Sequence, residues 1–274
     1  MNTGIFQSLS KSVMRVPCDL KKQLFIHEIQ ILSFFLLSVG IIQAKTRIFT
    51  IGDSTMANYD TLKYSGENEQ RGWGQLFPLF LSPKVEVKNA AKNGRSSKSF
   101  YHEIWLNLRN ELKLGDFVFI QFGHNDEKAN GLDTEITDTI ARGTAPWGQY
   151  QLYLRKYINE TRAKGAIPVL FTPVVRRYFK EGKLTPKALH NLSENASDTT
   201  LNYVLAMKSV ATEMNVPLID MTMLTQQLVE SYGDKKSKNE LFINKDDTHL
   251  KAEGAKQFAK LAYKELKRQR ILKH

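Results

Sequence analysis

Cysteine is all but absent, with Cys18 the only one in 274 residues. One thiol cannot build an intramolecular disulfide framework or a multi-cysteine zinc site, and no CxxC pair exists to run thiol redox chemistry. Acidic residues are in deficit, 28 Asp plus Glu against 39 Lys plus Arg, for a formal net charge of +11. That excess favours acidic partners, whether nucleic acid, anionic membrane or acidic polysaccharide, without choosing among them. Much of it falls in the last stretch, Lys260, Lys264, Lys267, Arg268, Arg270 and Lys273, where a solvated helical face explains it equally well. Internal repeats, low-complexity tracts and Pro/Ser linkers are missing as well. With 42% hydrophobic, 24% charged and 10% aromatic residues, the composition is that of an ordinary globular chain. No GxSxG, HExxH, GxxxxGK[ST] or GxGxxG occurs, which sets aside the chemistries those motifs carry.

One long apolar run is present. Residues 29–44, IQILSFFLLSVGIIQA, carry no charge and follow Lys21 and Lys22, the order of a basic region, an apolar core and a small-residue exit in a secretory signal. Residues 1–44 are therefore expected to be an N-terminal leader cleaved after Ala44, with Met14 as an alternative start, and the product to be secreted or periplasmic. Sixteen uncharged residues are short for a spanning helix, which needs about 20, so an uncleaved anchor is the lesser reading. The chain from Lys45 onward would hold no cysteine, which suits an exported protein. Three N-x-S/T acceptors stand at Asn159, Asn191 and Asn195.

Beyond the leader, short β-branched or aromatic runs alternate with amphipathic stretches, as in a parallel sheet with helices on both faces. Strands are predicted at 47–51, 84–88, 116–122, 167–172 and 216–220. Helices are predicted near 73–81, 97–112, 147–164, 197–214, 222–232 and 251–268. Residues 45–274 read as a single domain of α/β class. Ligands of such sheets bind at the carboxyl ends of the strands, and the long segments 56–72, 124–146 and 173–195 are available to wall a site there.

The first strand runs into Gly52-Asp53-Ser54-Thr55, which leaves a serine at a strand's carboxyl end. A serine nucleophile needs a base to take its proton and an acid to orient that base. Asp246-Asp247-Thr248-His249, just before the last helix, holds both within one loop, and either aspartate is available as the acid. Acyl transfer also needs donors fixed in place for an oxyanion. The second strand leads into Asn89 through Ser96, where the N–H of Gly94 has no side chain to block it. The third leads into Gly123-His124-Asn125-Asp126, where the Asn125 amide is a further donor. Any one of these blocks alone reads as an ordinary turn. Together, in this order and each at a strand end or helix entry, they form a constellation.

The four blocks resemble those of the SGNH hydrolases, also called the GDSL esterase and lipase superfamily, over nearly the whole chain from Lys45. Arg71-Gly72-Trp73-Gly74-Gln75, Gly123 to Asp126, Thr172 to Arg177 and Asp246 to His249 are similar to stretches of the rhamnogalacturonan acetylesterases, which remove acetyl groups from pectin. The resemblance implies a flavodoxin-like three-layer α/β/α sandwich around a five-stranded parallel sheet. It implies Ser54 as nucleophile, His249 as base, Asp246 three residues before it as the orienting acid, and an oxyanion hole from the N–H groups of Ser54 and Gly94 and the Asn125 side chain. Neither metal nor other cofactor is implied. Thr55 stands where the superfamily name has leucine.

Further expectations concern the substrate, an acetylated and acidic pectic polysaccharide. Trp73, Trp147 and Tyr59 are candidates for stacking on sugar rings, and Arg95, Arg176 and Arg177 for pairing with galacturonate carboxylates. His102, His190 and His274 read as surface or packing residues, and Asp53 as a turn former. Alternative substrates for the same site are acetylated xylan, other O-acetyl sugars or lipids, although the loops Lys63–Arg71 and Lys92–Lys98 are polar where a lipase would want an apolar channel. The reading from another class is a non-catalytic carbohydrate-binding protein on this fold. Nucleic-acid binding rests on net charge alone, and no stable membrane insertion is expected once the leader is removed.

Overall fold

Five parallel strands, β1 (Thr46–Gly52), β2 (Val85–Asn89), β3 (Phe117–Gln121), β4 (Ile167–Phe171) and β5 (Leu218–Ile219), form the central sheet in the order β2-β1-β3-β4-β5 in a computed structural model of the chain. The structure describes residues 45–66 and 69–272, within the unit Lys45–His274. The expected leader, residues 1–44 with Cys18, lies outside the described residues, as does His274. Register is continuous from Thr46↔Val85 on one side of β1 and from Ile48↔Phe117 on the other. The order 2-1-3-4-5 is that of a doubly wound flavodoxin-like sheet, whose winding reverses between β1 and β3 and opens a crevice at their carboxyl ends.

The strands β1, β3 and β4 are apolar on both faces because both faces are covered, while the edge strand β2, VEVKN, leaves Glu86 and Lys88 exposed. Alternate side chains go to opposite layers: Ile48, Phe119, Val169 and Phe171 join Trp73, Phe77 and Phe258 in one core. Phe49, Ile51, Val118, Ile120 and Leu170 join Phe100, Trp105 and Tyr157 in the other. The helices of the two layers include α1 (Gln151–Ala163), α2 (Tyr203–Glu213), α3 (Met221–Glu240) and α4 (Ala252–Arg268).

Several expected boundaries move for local reasons. The helix expected from 197 begins at Tyr203. Asn195 and Asp198 spend their amide and carboxyl oxygens on the N–H groups of Ser197 and Thr200, two residues on, a turn habit that competes with helix; Asn202 then caps α2 through the N–H of Leu205. The helix expected to stop at 232 continues to Glu240 across a kink at Gly233, whose φ is +72°. Residues 97–111 start from a capping box between Ser96 and Ser99 and pass through a π-helical turn at Tyr101–Trp105. The expected strand 216–220 shrinks to Leu218–Ile219.

The long connection after β3 is held by buried polar groups. Asp126, fully buried, accepts from the N–H and Oγ of Ser97 and from Oγ1 of Thr144. Lys98, also fully buried, donates to Oγ1 of Thr134 and to the carbonyl of Glu135. Such groups are tolerated inside only when satisfied, and here their partners are Ser97 and the loop itself.

Candidate active site

The end of β1 forces the chain to turn beside β3. A Cβ on Gly52 would stand 2.7 Å from the carbonyl oxygen of Gln121, so only glycine fits. Asp53 then accepts from the N–H and hydroxyl of Thr55 at 2.9 and 2.7 Å, and its carbonyl accepts from the N–H groups of Met56 and Ala57. Thr55 also receives a hydrogen bond from Nε2 of Gln121, whose Oε1 takes the indole N–H of Trp73, both at 2.8 Å. A leucine at 55 would have no hydroxyl for this chain. The turn is thereby braced from below, and Tyr59 braces it from the side with its hydroxyl on the carbonyl of Ser54 at 2.9 Å.

Ser54 stands on that turn, 9% exposed. Its Oγ lies 2.9 Å from Nε2 of His249, and Nδ1 of His249 lies 2.7 Å from Oδ2 of Asp246. Asp246 fixes its own loop with Oδ1, which accepts from the N–H groups of Thr248 and His249 at 2.7 and 3.0 Å. Burial works against its charge, but the hydrogen bonds from His249 and Thr248 outweigh it and hold the carboxyl well below the usual carboxylate range. Asp247 points elsewhere and pairs with Arg177.

Gly94 has φ +74°, a conformation glycine adopts without strain. The N–H groups of Ser54 and Gly94 find no acceptor among the described residues. The Asn125 amide donates one hydrogen to the carbonyl of Arg95 at 3.1 Å, tying the two loops together, and its second hydrogen remains for a ligand. Oδ1 of Asn125 accepts from Arg142 at 3.4 Å, which fixes the orientation of the amide. Among the described residues no group of three or more His, Cys, Asp or Glu is placed to hold a metal ion.

The expected sugar contacts fare differently. Trp73 is fully buried, with its ring against Phe77 and Phe171; it is a core residue and cannot stack on a substrate. Tyr59, 5% exposed, is likewise spent on the serine turn. Trp147 is partly exposed and donates to the carbonyl of Thr199. Each candidate arginine already has a carboxylate: Arg95 pairs with Glu103, Arg176 with Glu127, and Arg177 with Asp234 and Asp247. A paired guanidinium has fewer donors left for a carboxylated sugar. His190 is no surface residue; it is fully buried, with Nδ1 2.5 Å from Glu127 and Nε2 2.8 Å from the carbonyl of Val174. Arg176 further donates to the carbonyl of His124 at 3.1 Å and to Oγ1 of Thr248 at 2.8 Å, so one guanidinium joins the Asn125 loop to the His249 loop. Neither this clamp nor Arg142 has a local sequence signal, because each contact joins residues brought together only by the fold.

A profile of the GDSL-like lipase/acylhydrolase family matches residues 48–262. The chain belongs to this family. GDSL family members hydrolyse carboxylic esters, and this chain is an enzyme of that class. It is 36% identical over 230 residues to rhamnogalacturonan acetylesterase RhgT of Bacillus subtilis, covering 78% of this chain and 87% of that one. It is 34% identical over 224 residues to the probable rhamnogalacturonan acetylesterase YesY of the same organism, covering 80% and 92%. Among solved structures, B. subtilis YxiM superposes with a TM-score of 0.67 at 27% identity, over 84% of this chain and 58% of that one; the chain thus spans little more than half of YxiM.

Proposed function

We propose that this GDSL-family esterase removes O-acetyl groups from pectic rhamnogalacturonan through an acetyl-enzyme on Ser54. The observation that carries the chemistry is the unbroken line from Ser54 Oγ to His249 Nε2, 2.9 Å, and from His249 Nδ1 to Asp246 Oδ2, 2.7 Å. Ser54 Oγ attacks the ester carbonyl carbon as His249 takes its proton. The negative charge that develops on the carbonyl oxygen is met by the N–H groups of Ser54 and Gly94 and by the Asn125 amide. Collapse expels the sugar oxygen, which receives the proton from His249. Water, deprotonated by His249, then attacks the acetyl carbonyl carbon; the bond to Ser54 Oγ breaks, Oγ takes the proton back from His249, and acetate is released.

The choice of substrate is supported by the names of the relatives RhgT and YesY and by the net charge of +11, which favours an anionic polymer. An exported enzyme fits such a substrate, and the apolar run 29–44 behind Lys21 and Lys22 supports export. The test is acetate release from acetylated rhamnogalacturonan and acetylated xylan in parallel, with Ser54→Ala as control. Preference for the pectic polymer, abolished in the variant, is the expected result. Serine-dependent release from xylan alone would overturn the pectic reading and leave the esterase, while full activity of Ser54→Ala would overturn the nucleophile.

A further inference from the structure

The base and the oxyanion amide stand on separate loops, His249 before α4 and Asn125 after β3. A cavity of about 490 Å³ lies between the turn after β3, which lines it with His124 and Lys128, and the segment after β4, which lines it with Arg176, Tyr178 and Lys187. Across such a gap the spacing of two segments is set by directed polar contacts, because apolar packing is interrupted there.

Arg176 makes those contacts. It is 8% exposed, and its guanidinium donates to three acceptors: the carbonyl of His124 at 3.1 Å, Oε2 of Glu127 at 2.9 Å and Oγ1 of Thr248 at 2.8 Å. His124 immediately precedes Asn125, and Thr248 immediately precedes His249. One planar group thus touches the neighbour of the oxyanion donor and the neighbour of the base. Its own place is fixed from behind, since the second oxygen of Glu127 lies 2.5 Å from Nδ1 of His190, whose Nε2 lies 2.8 Å from the carbonyl of Val174. The backbone adds to the grip: the N–H of Arg176 donates to the carbonyl of Ala188 at 3.0 Å, and that of Arg177 to the carbonyl of Asp247 at 2.7 Å. Separating a buried ion pair is costly, so the guanidinium has no alternative place of comparable energy.

We propose that Arg176 is a positioning residue for ester hydrolysis, holding His249 through Thr248 and Asn125 through the carbonyl of His124, so that base and oxyanion donor keep one spacing around Ser54. The proposal rests on the esterase reading of the site and deepens it. Arg176 acts through its two neighbours and needs no contact with the substrate. Misplacing a reacting group by about 1 Å can cost about 100-fold in rate, which gives a fixed spacing its value.

The test is Thr248→Val. Thr248 is half-buried, the change is nearly isosteric, and Arg176 keeps Glu127, so no buried charge is left alone. With 4-nitrophenyl acetate, kcat is expected to fall about tenfold, as for a displacement well under 1 Å, with KM and melting temperature nearly unchanged. Thr248→Ser, which restores the hydroxyl, is expected to recover most of the loss. Arg176→Lys keeps a charge beside Glu127 but lacks the planar fork; it is expected to lower kcat at least as much, and adding Thr248→Val to it to cost nothing further, because both changes break one link. An unchanged kcat, a loss that serine does not restore, or additive losses would overturn the proposal. Hydrogen–deuterium exchange of the amides of residues 246–249 gives a readout independent of turnover. Exchange about tenfold faster is expected in Thr248→Val, equivalent to one charge-assisted hydrogen bond lost from the closed loop, and an unchanged rate would overturn the clamp. A wild type that hydrolyses no ester would instead overturn the esterase reading, and the exchange comparison alone would then decide whether Arg176 holds the loop.

Discussion

Asp246→Asn tests the orienting role proposed for Asp246 apart from the rest of the site. The substitution is nearly isosteric, and an amide oxygen can keep the two backbone hydrogen bonds that Oδ1 accepts from Thr248 and His249 at 2.7 and 3.0 Å. The loop should therefore hold its shape. What changes is the atom 2.7 Å from Nδ1 of His249, which becomes an NH₂ donor. Nδ1 must then accept, the proton moves to Nε2, and Nε2 faces Ser54 Oγ at 2.9 Å as a donor with no lone pair for the serine proton. The carboxylate that would stabilise the imidazolium is lost too. A base held in the wrong tautomer costs on the order of 10⁴ in kcat, equivalent to about 5.5 kcal/mol of barrier. Since Asp246 faces the histidine and its own loop, KM should change little. The assay is steady-state hydrolysis of 4-nitrophenyl acetate at neutral pH, with a thermal melt to confirm that the fold persists. A fall of less than tenfold in a folded variant would refute the orienting role. Asp247→Asn serves as the comparison, because Asp247 is bound to Arg177; if it proved the more damaging change, the acid would be Asp247.

Asn125→Ala is expected to lower kcat by about 100-fold or more through loss of one oxyanion donor; a loss of only a few-fold, measured with the same ester, would return Asn125 to the role of a turn residue. Trp73→Phe removes the indole N–H from the buried Oε1 of Gln121 and opens space in the core, so the melting temperature should fall with an unfolding cost of about 2–4 kcal/mol. A raised KM with an unchanged melt would mean instead that the ring meets substrate. Two buried groups, His124 and Glu127, should each withdraw stability as pH falls. Buried His124 has its pKa lowered to about 4 in the folded state against about 6.5 unfolded. The unfolded chain thus binds the extra proton, and the contribution of His124 falls by about 3 kcal/mol as pH drops from about 6.5 through 4; Asp126, whose pKa burial raises to about 7, acts in the opposite sense over the same range, so the His124 loss is read as the difference between the wild type and a His124→Asn variant. Glu127 adds a second loss between about 4.5 and 2, because His190 and Arg176, working against burial, hold its pKa at about 2. Urea unfolding at a series of pH values checks both, and a His124→Asn variant with an unaltered slope between pH 6.5 and 4 would contradict the first.

The sheet and the residues that meet at its edge are legible in the chain alone. A strand buried on both faces must be apolar at successive positions, so RIFTI, DFVFIQF and IPVLF announce themselves; a loop at a strand end must carry its turn chemistry locally, so Gly52-Asp53-Ser54-Thr55 and Asp246 to His249 are legible as short blocks. Ser54 and His249 are 195 positions apart, yet each block lies at a predictable end of a predictable element, and the α/β plan brings those ends together. Which of the charged and aromatic residues around the site are buried or already paired depends on the folded arrangement. Trp73, Arg95, Arg176 and Arg177 carry the right chemistry for a sugar acid, but exposure and ion pairing depend on neighbours far along the chain, on Gln121 for Trp73 and on Glu127 for Arg176. The segments 124–146 and 173–195 were legible as possible walls, but the cavity lined by His124, Lys128, Tyr178 and Lys187 was not. Its residues come from two loops with no local pattern, and a concave surface exists only once the sheet has fixed how far apart those loops stand.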